Sequence, residues 1–317
     1  MIENIKSCLK RSKICRAFAQ LPLNIFYSYL KLKTIIISDE SYVTKHYENV
    51  FGKKPDLKNP KTMNEFIAHR KVYDRNPLFT LCADKFKVRE YVKDKIGEEY
   101  LIPLITYSDD IKKVDFDALP NSFAAKVNHG SGQNMIILDK DKENIEEMKI
   151  HICYWMNRNH YYNTREWQYK NIETLILFEE LILDEDGTIP KDYKFHTIGG
   201  KVEFIQIDTE RFEDHKRIFY SPSWEELDFM WAPATSQNRP KYEKAPPLEK
   251  PENLQKMIEL VEKLAQDFNY VRVDLYDVNQ KLYFGELTFT HEDGLAKFFP
   301  EKYDRYFGKM LSQVSAI

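Results

Sequence analysis

The 317-residue chain is poor in cysteine: Cys8, Cys15, Cys82 and Cys153 show neither CxxC spacing nor a dense pattern. That excludes a zinc ribbon or a disulfide framework and points to a reduced, cytoplasmic protein. Charge of one sign is lacking too. The 47 Lys+Arg and 50 Asp+Glu leave a formal net charge of -3, so no global field draws the chain to nucleic acid, and a charged partner must be met locally. The apolar run from Leu21 to Ile37 is broken by Lys31 and Lys33, lacks a small-residue cleavage site and is too short to span a bilayer. There is no internal repeat, no Walker-type phosphate loop and no dinucleotide fingerprint opening a helix.

What is present is uneven along the chain. Residues 1–35 carry Lys6, Lys10, Arg11, Lys13, Arg16, Lys31 and Lys33 against the single acid Glu3. Such a basic, partly amphipathic start suits either an anionic membrane surface, here the cytoplasmic face of the inner membrane, or a helix capping the neighbouring lobe. Residues 41–80 read as polar helices punctuated at Pro55 and Pro60, which gives a helical N-terminal region over 1–80. From Ala83 the spacing predicts a helix of about 12 residues ending at Gly97, then a short strand. NSFAAKVNHGSGQNMIILD reads as strand, glycine loop, strand, followed by a helix from Glu143 to Met156 and an aromatic stretch, NHYYNTREWQYKN, whose tyrosines suit core or lid.

In the second half, TLILFEELIL reads as a strand running into a polar connector, and KDYKFHTIGGKVEFIQID as a hairpin about Gly199-Gly200. Residues 223–247 are expected to form a surface excursion. Leu254, Met257, Ile258, Val261, Leu264 and Phe268 mark one face of an amphipathic helix. This order predicts an α+β protein with a first lobe over 81–175 and a second over 176–317.

Three stretches carry chemistry. YVRVDLYDVNQKLYFGELTFT alternates by twos and turns at Asp277 to Gln280, so Arg272, Asp274, Glu286 and Thr288 share one surface. Two carboxylates beside an arginine suit a divalent cation with phosphates; a solvated edge hairpin fits the same pattern. The loop His129-Gly130-Ser131-Gly132-Gln133, entered from Lys126, lets backbone amides approach a phosphate beside a point charge, although a plain hairpin loop explains it as well. Glu179-Glu180-Leu181-Ile182 offers backbone groups to an adenine edge, with Asp184 and Asp186 for ribose hydroxyls; a strand end with solvated acids is the alternative.

The order of these pieces resembles the ATP-grasp superfamily. Within it, KTMNEF, YDRNPLFTLCADKFKVREYV, KVNHGSGQN, REWQYKN, PKDYKF and RVDLY with FGELTFT resemble the TupA-like branch, found among surface-polysaccharide genes, over residues 60–308. The resemblance implies a two-lobed ATP-grasp fold using ATP and Mg2+. Lys85, Lys126 and the loop 129–133 would meet phosphates, Glu179 to Ile182 the adenine, and Asp274 and Glu286 the magnesium. Arg272 would steady an acyl phosphate and Lys194 would add to the cations around the triphosphate; Arg217 suits a grip on a terminal phosphate or an acceptor carboxylate, and a plain surface arginine explains it as well. Two positions depart from the pattern: Thr288 stands where the superfamily has an asparagine ligand, and His291 where the branch has proline.

The implied reaction converts a carboxylate and ATP to an acyl phosphate that an amine attacks, the acid expected to be a uronic acid and the amine an amino acid or small amine. A glycosyltransferase on the same polymer and a non-catalytic ATP-binding scaffold are the alternatives. Binding of a sugar nucleotide separates the first, and absence of magnesium-dependent ATP cleavage the second.

Overall fold

The computed structural model describes residues 13–209 and 215–314, with side chains from Ile25 onward. Lys6, Lys10, Arg11 and Cys8 lie outside the described residues, as do the side chains of Lys13, Cys15 and Arg16. No described helix is long and apolar enough to cross a membrane.

Three helices, α1 (Lys13–Ile36), α2 (Asp39–Phe51) and α3 (Met63–Tyr73), precede α4 (Pro77–Ala83) and α5 (Val88–Ile96). The single helix expected from Ala83 to Gly97 is broken. Asp84 Oδ1 accepts from the amides of Phe86 at 2.9 Å and Lys87 at 3.3 Å, closing a turn that competes with the helical ladder. Next come β1 (Leu104–Ser108), β2 (Phe123–Val127), β3 (Asn134–Ile137), α6 (Ile145–Met156), α7 (Tyr161–Thr164) and β4 (Ile176–Glu179). These strands form a four-stranded antiparallel sheet ordered β1-β4-β2-β3, covered by α6. α6 begins two residues later than expected, because the Asn144 side chain accepts from Glu147 N and caps it.

A larger sheet follows, built from β5 (Asp192–Ile198), β6 (Lys201–Thr209), β7 (Lys216–Tyr220), β9 (Glu243–Lys244), β10 (Tyr270–Val278) and β11 (Lys281–Thr288), in the order β11-β10-β5-β6-β7-β9. β8 (Met230–Ala232) pairs instead with β12 (Lys297–Phe299). The 223–247 stretch is therefore only partly a surface excursion: Trp231 within it is fully buried, stacked on Phe298 at 4.6 Å. The β10–β11 turn is tighter than expected, since Val278 pairs with Lys281 and only Asn279 and Gln280, both at positive φ, lie between.

α8 (Leu254–Ala265) lays Leu254, Met257, Leu260, Val261 and Leu264 on one face of this sheet, over Phe195, Ile205, Val271 and Val273. Full burial of each such side chain is worth about 2 kcal/mol. α3 and the last helix, α9 (Lys302–Val314), close another core of Phe66, Phe204, Trp231, Phe298 and Phe307. There Thr62 caps α3, accepting from Glu65 N, and the buried Asp304 of α9 accepts from Asn64 N at 3.0 Å. Gly308 lets the two helices meet: a Cβ there would lie 2.3 Å from Lys61 O.

Candidate active site

The two sheets face each other across a cleft of about 990 Å³. Its large-sheet wall follows from register. β10 sets Asp274 opposite Glu286 of β11 on one side and Lys194 of β5 on the other, and β5 sets Lys194 opposite Gln206 of β6. The neighbouring row pairs Arg272 with Thr288 and His196. A bulge after Asp274 leaves Gly285 between the residues that pair with Asp274 and Leu275. Over the cleft, alternate residues of these strands thus point polar groups into it, while their neighbours enter the core under α8.

Arg272 organises this wall. Its Nε and Nη2 donate to the two oxygens of Asp274 at 2.7 Å each, Nη2 donates to Glu286 Oε1 at 2.7 Å, and Nη1 meets His291 Nδ1 at 3.0 Å. Because a guanidinium only donates, His291 accepts through Nδ1 and is neutral, and burial holds its pKa well below the usual value. Lys194 lies 3.5 Å from Asp274 Oδ2 and is also paired with Asp192. Thr288 Oγ1 donates to Glu286 Oε1 at 3.1 Å.

The environments push the two facing carboxyls apart. Burial raises Asp274 to about 6 against the pull of Arg272 and Lys194. Glu286 feels burial too, but Lys85 and Arg272 bring it down to about 2. Both are ionised at neutral pH, and two hard carboxylates facing each other across one strand pair fit a magnesium ion.

The small-sheet wall carries separate amines. Lys85 Nζ donates to Gly130 O at 2.8 Å and lies 3.8 Å from Glu286 Oε2, while Lys126 pairs with Glu179 Oε2 at 2.5 Å. Arg89 reaches the other Glu179 oxygen at 3.3 Å. Ser131, Gly132 and Gln133 line the cleft, with Gly132 at φ +68° and open space where a Cβ would stand.

Other residues singled out in the sequence sit apart. His129 is buried, its Nε2 meeting Arg158 O and its Nδ1 lying 3.3 Å from Asn128 Oδ1, so it anchors the base of the loop instead of facing the cleft. Glu179 belongs to β4, and the connector 180–191 that crosses between the sheets lines the cleft only at Ile189. Thus Glu180, Leu181, Ile182 and Asp184 do not reach its wall, and Asp186 Oδ1 closes a turn by accepting from Thr188 N and Oγ1. Arg217, in contrast, lines the cleft, held by Asp208 Oδ1 at 2.6 Å, Trp231 O at 2.7 Å and Glu292 Oε1 at 3.1 Å, and it stacks on Tyr242.

Sequence reasoning missed Asp192, Gln206, Asp208 and Glu166, all on the cleft wall. The first three had a signal, since polar residues alternate with apolar ones through DYKFHT and FIQID. Asn128 was missed as well. Its side chain ties the glycine loop to Asp84 Oδ1 at 2.9 Å, to Glu173 O at 2.9 Å and to Leu175 N at 2.8 Å.

Two facing sheets, one carrying a glycine loop with lysines and the other an Arg-Asp-Glu hairpin, form an ATP-grasp fold, the fold of ligases that use ATP and Mg2+ to make carbon–nitrogen bonds. The sequence profile of the TupA-like ATP-grasp family matches residues 65–312, and the chain belongs to that family. No curated protein matches it. Among solved structures it is similar to D-alanine–D-alanine ligase from Bacillus anthracis, at 14% identity over 74% of this chain and 67% of that one, TM-score 0.42. The enzyme of the same name from Helicobacter pylori gives 17% identity over 74% and 61%, TM-score 0.39. The ATP-grasp ligase PsnB complexed with minimal precursor gives 13% over 77% and 63%, TM-score 0.40. The chain thus spans about two thirds or less of these proteins.

Proposed function

We propose that the protein is an ATP-dependent carboxylate–amine ligase that joins an amino acid or small amine to a uronic acid during synthesis of a surface polysaccharide such as capsule, teichuronic acid or O-antigen. The observation that carries the ligase part is Arg272, held by Asp274 and Glu286 on one wall of a cleft whose other wall presents Lys85 and Lys126. The polysaccharide part rests on membership of the TupA-like branch.

Lys85, Lys126 and Lys194 supply positive charge along the path of a triphosphate, and the loop 130–133 its backbone amides. Asp274 and Glu286 would hold magnesium, which when bound neutralises charge on the terminal phosphate oxygens. Arg272 supplies a planar donor fork to the oxygen that gains charge as the acyl phosphate is attacked. Glu179, at the end of β4, and Glu180 to Ile182, Asp184 and Asp186, on the connector after it, would take adenine and ribose at the rim of the cleft, beyond the wall that carries the lysines and carboxylates. Arg217 would face the acceptor carboxylate.

The test is the product mass after incubation with ATP, magnesium, a uronic acid and an amine. An amide of the two, formed with ADP and phosphate, is expected. Transfer from a sugar nucleotide with no ATP consumed would replace this reading by a glycosyltransferase.

We further propose that the protein rests on the cytoplasmic membrane surface through its basic start. On α1 the side chains of Ile25, Tyr29, Leu32 and Ile36 repeat at helical spacing and are 53–73% exposed, whereas Leu30 on the opposite side is buried. Binding to phosphatidylglycerol vesicles, weakened by salt and by Leu32→Glu, is expected in sedimentation. Equal binding to neutral vesicles would remove the electrostatic part of this reading.

A further inference from the structure

The REWQ stretch builds a second polar group into the same cleft. Arg165 ends α7 at φ +60°, a conformation costly for a side chain of that size. It is held there by full burial, stacked 4.6 Å from Tyr42 and 3.4 Å from Asp39. The next residue, Glu166, is 5% exposed and lines the cleft. Its Oε1 meets His160 Nε2 at 2.8 Å, and its Oε2 accepts from Gln168 Nε2 at 3.2 Å and from Thr290 Oγ1. Burial alone would raise this carboxyl, but the hydrogen bond from His160, the charge of Lys71 and the bond from Thr290 hold it below the usual range. An ionised Glu166 only accepts, so His160 donates through Nε2. Its Nδ1 meets no hydrogen-bonding group among the described residues, and the ring, edge-on to Tyr169 at 5.0 Å, borders the cleft.

A carboxylate that fixes the tautomer of an imidazole, with the second nitrogen open to a reaction cleft, is the design of an oriented base. We propose that His160, oriented by Glu166, takes a proton from the incoming nucleophile, and that this nucleophile is a primary amine arriving as an ammonium ion. An ammonium has no lone pair and must lose a proton before it can attack, and a neutral imidazole held beside the cleft is a base placed to take it. The inference rests on the ligase reading. The step balances: one proton passes from the ammonium to His160 Nδ1, and the freed lone pair forms the C–N bond. The carbon–phosphate-oxygen bond breaks with its electrons going to the leaving phosphate, which takes up the second amine proton.

The test compares two nucleophiles, with galacturonate or glucuronate as the carboxylate and ATP and magnesium present. Alanine is protonated at neutral pH, whereas hydroxylamine is not and needs no base. His160→Ala is expected to slow amide formation with alanine about a hundredfold and hydroxamate formation less than tenfold, and free imidazole should restore the alanine reaction at least tenfold. Glu166→Gln should lose about tenfold with alanine and less with hydroxylamine. Equal losses with both nucleophiles, no loss with either, or failure of imidazole to rescue would overturn the inference and leave the ligase standing. If the unaltered protein gives neither hydroxamate nor ADP, it is the ligase reading that fails.

Discussion

The two walls of the cleft hold their charges differently. On the wall of the small sheet, Lys85, from the turn after α4, and Lys126 of β2 are 18% and 19% exposed in their side chains and lie near Glu286 and Glu179. On the large sheet Lys194, Asp274 and Arg272 are 4%, 3% and 10% exposed and are joined in one continuous network with Glu286. A partly exposed lysine paired with one carboxylate can exchange that partner for a phosphate without being left unpaired. A buried network cannot lose a member without leaving a charge in low dielectric. The small sheet is therefore suited to set nucleotide affinity, and the large sheet to set both chemistry and local stability.

Arg272→Ala is the most severe way to probe that division. Turnover should fall about a hundredfold or more with ATP affinity near normal, and lysine at this position should not restore it fully. The nucleotide-free protein should also lose about 3 kcal/mol, since Asp274 and Glu286 are left facing each other, and magnesium should recover part of that. ADP release across an ATP titration, with melting curves at several magnesium concentrations, checks both. Loss of ATP binding with an intact maximal rate would make Arg272 a ground-state phosphate ligand and erase the contrast between the walls.

Lys126→Ala should act on affinity alone. Binding to the folded state stabilises by about 2.7 kcal/mol at a hundred times Kd, and the variant should lose this ATP-dependent shift in Tm. Without nucleotide it should melt close to the parent, because Glu179 keeps Arg89. A retained shift would take Lys126 out of the phosphate site.

The smallest effect expected lies on the large sheet beyond the cleft. Burial and the nearby Glu262 raise the Glu203 carboxyl from 4.5 to about 7. The folded state therefore holds this proton more tightly than the unfolded chain, and the stability it brings, complete below pH 4.5, is lost as pH rises through 7. Glu203→Gln should be more stable than the parent by about 1 kcal/mol at pH 8, discounted for partial exposure, and equal to it at pH 4. Thermal melts at the two pH values decide it, and a turnover unchanged at neutral pH would mark the effect as confined to folding.

Strand alternation made the convergence of Arg272, Asp274, Glu286 and Thr288 legible in the sequence, and the Gly199-Gly200 hairpin was legible for the same reason, but the bulge between His196 and Thr197 that sets Lys194 against Gln206 was not. What escaped notice depends on contacts distant in the chain. Asp84 meets Asn128, and Glu166 meets Thr290, across 44 and 124 residues. No local period announces such pairs. His129 misled because a histidine beside two glycines looks like part of a binding loop, whereas its depth is decided by Arg158, on a segment far along the chain.

The close seat of Gly308 against Lys61 carries a consequence for the genetics of this protein. A premature stop codon just before Lys302 would leave every cleft residue encoded. It would nevertheless remove Asp304 from the amide of Asn64 and strip Phe307 and Leu311 from the core around Phe204 and Trp231. Such a truncated product would be cleared or aggregate before it could act, so nonsense alleles in the last helix should behave as nulls although their reading frame retains the whole catalytic wall.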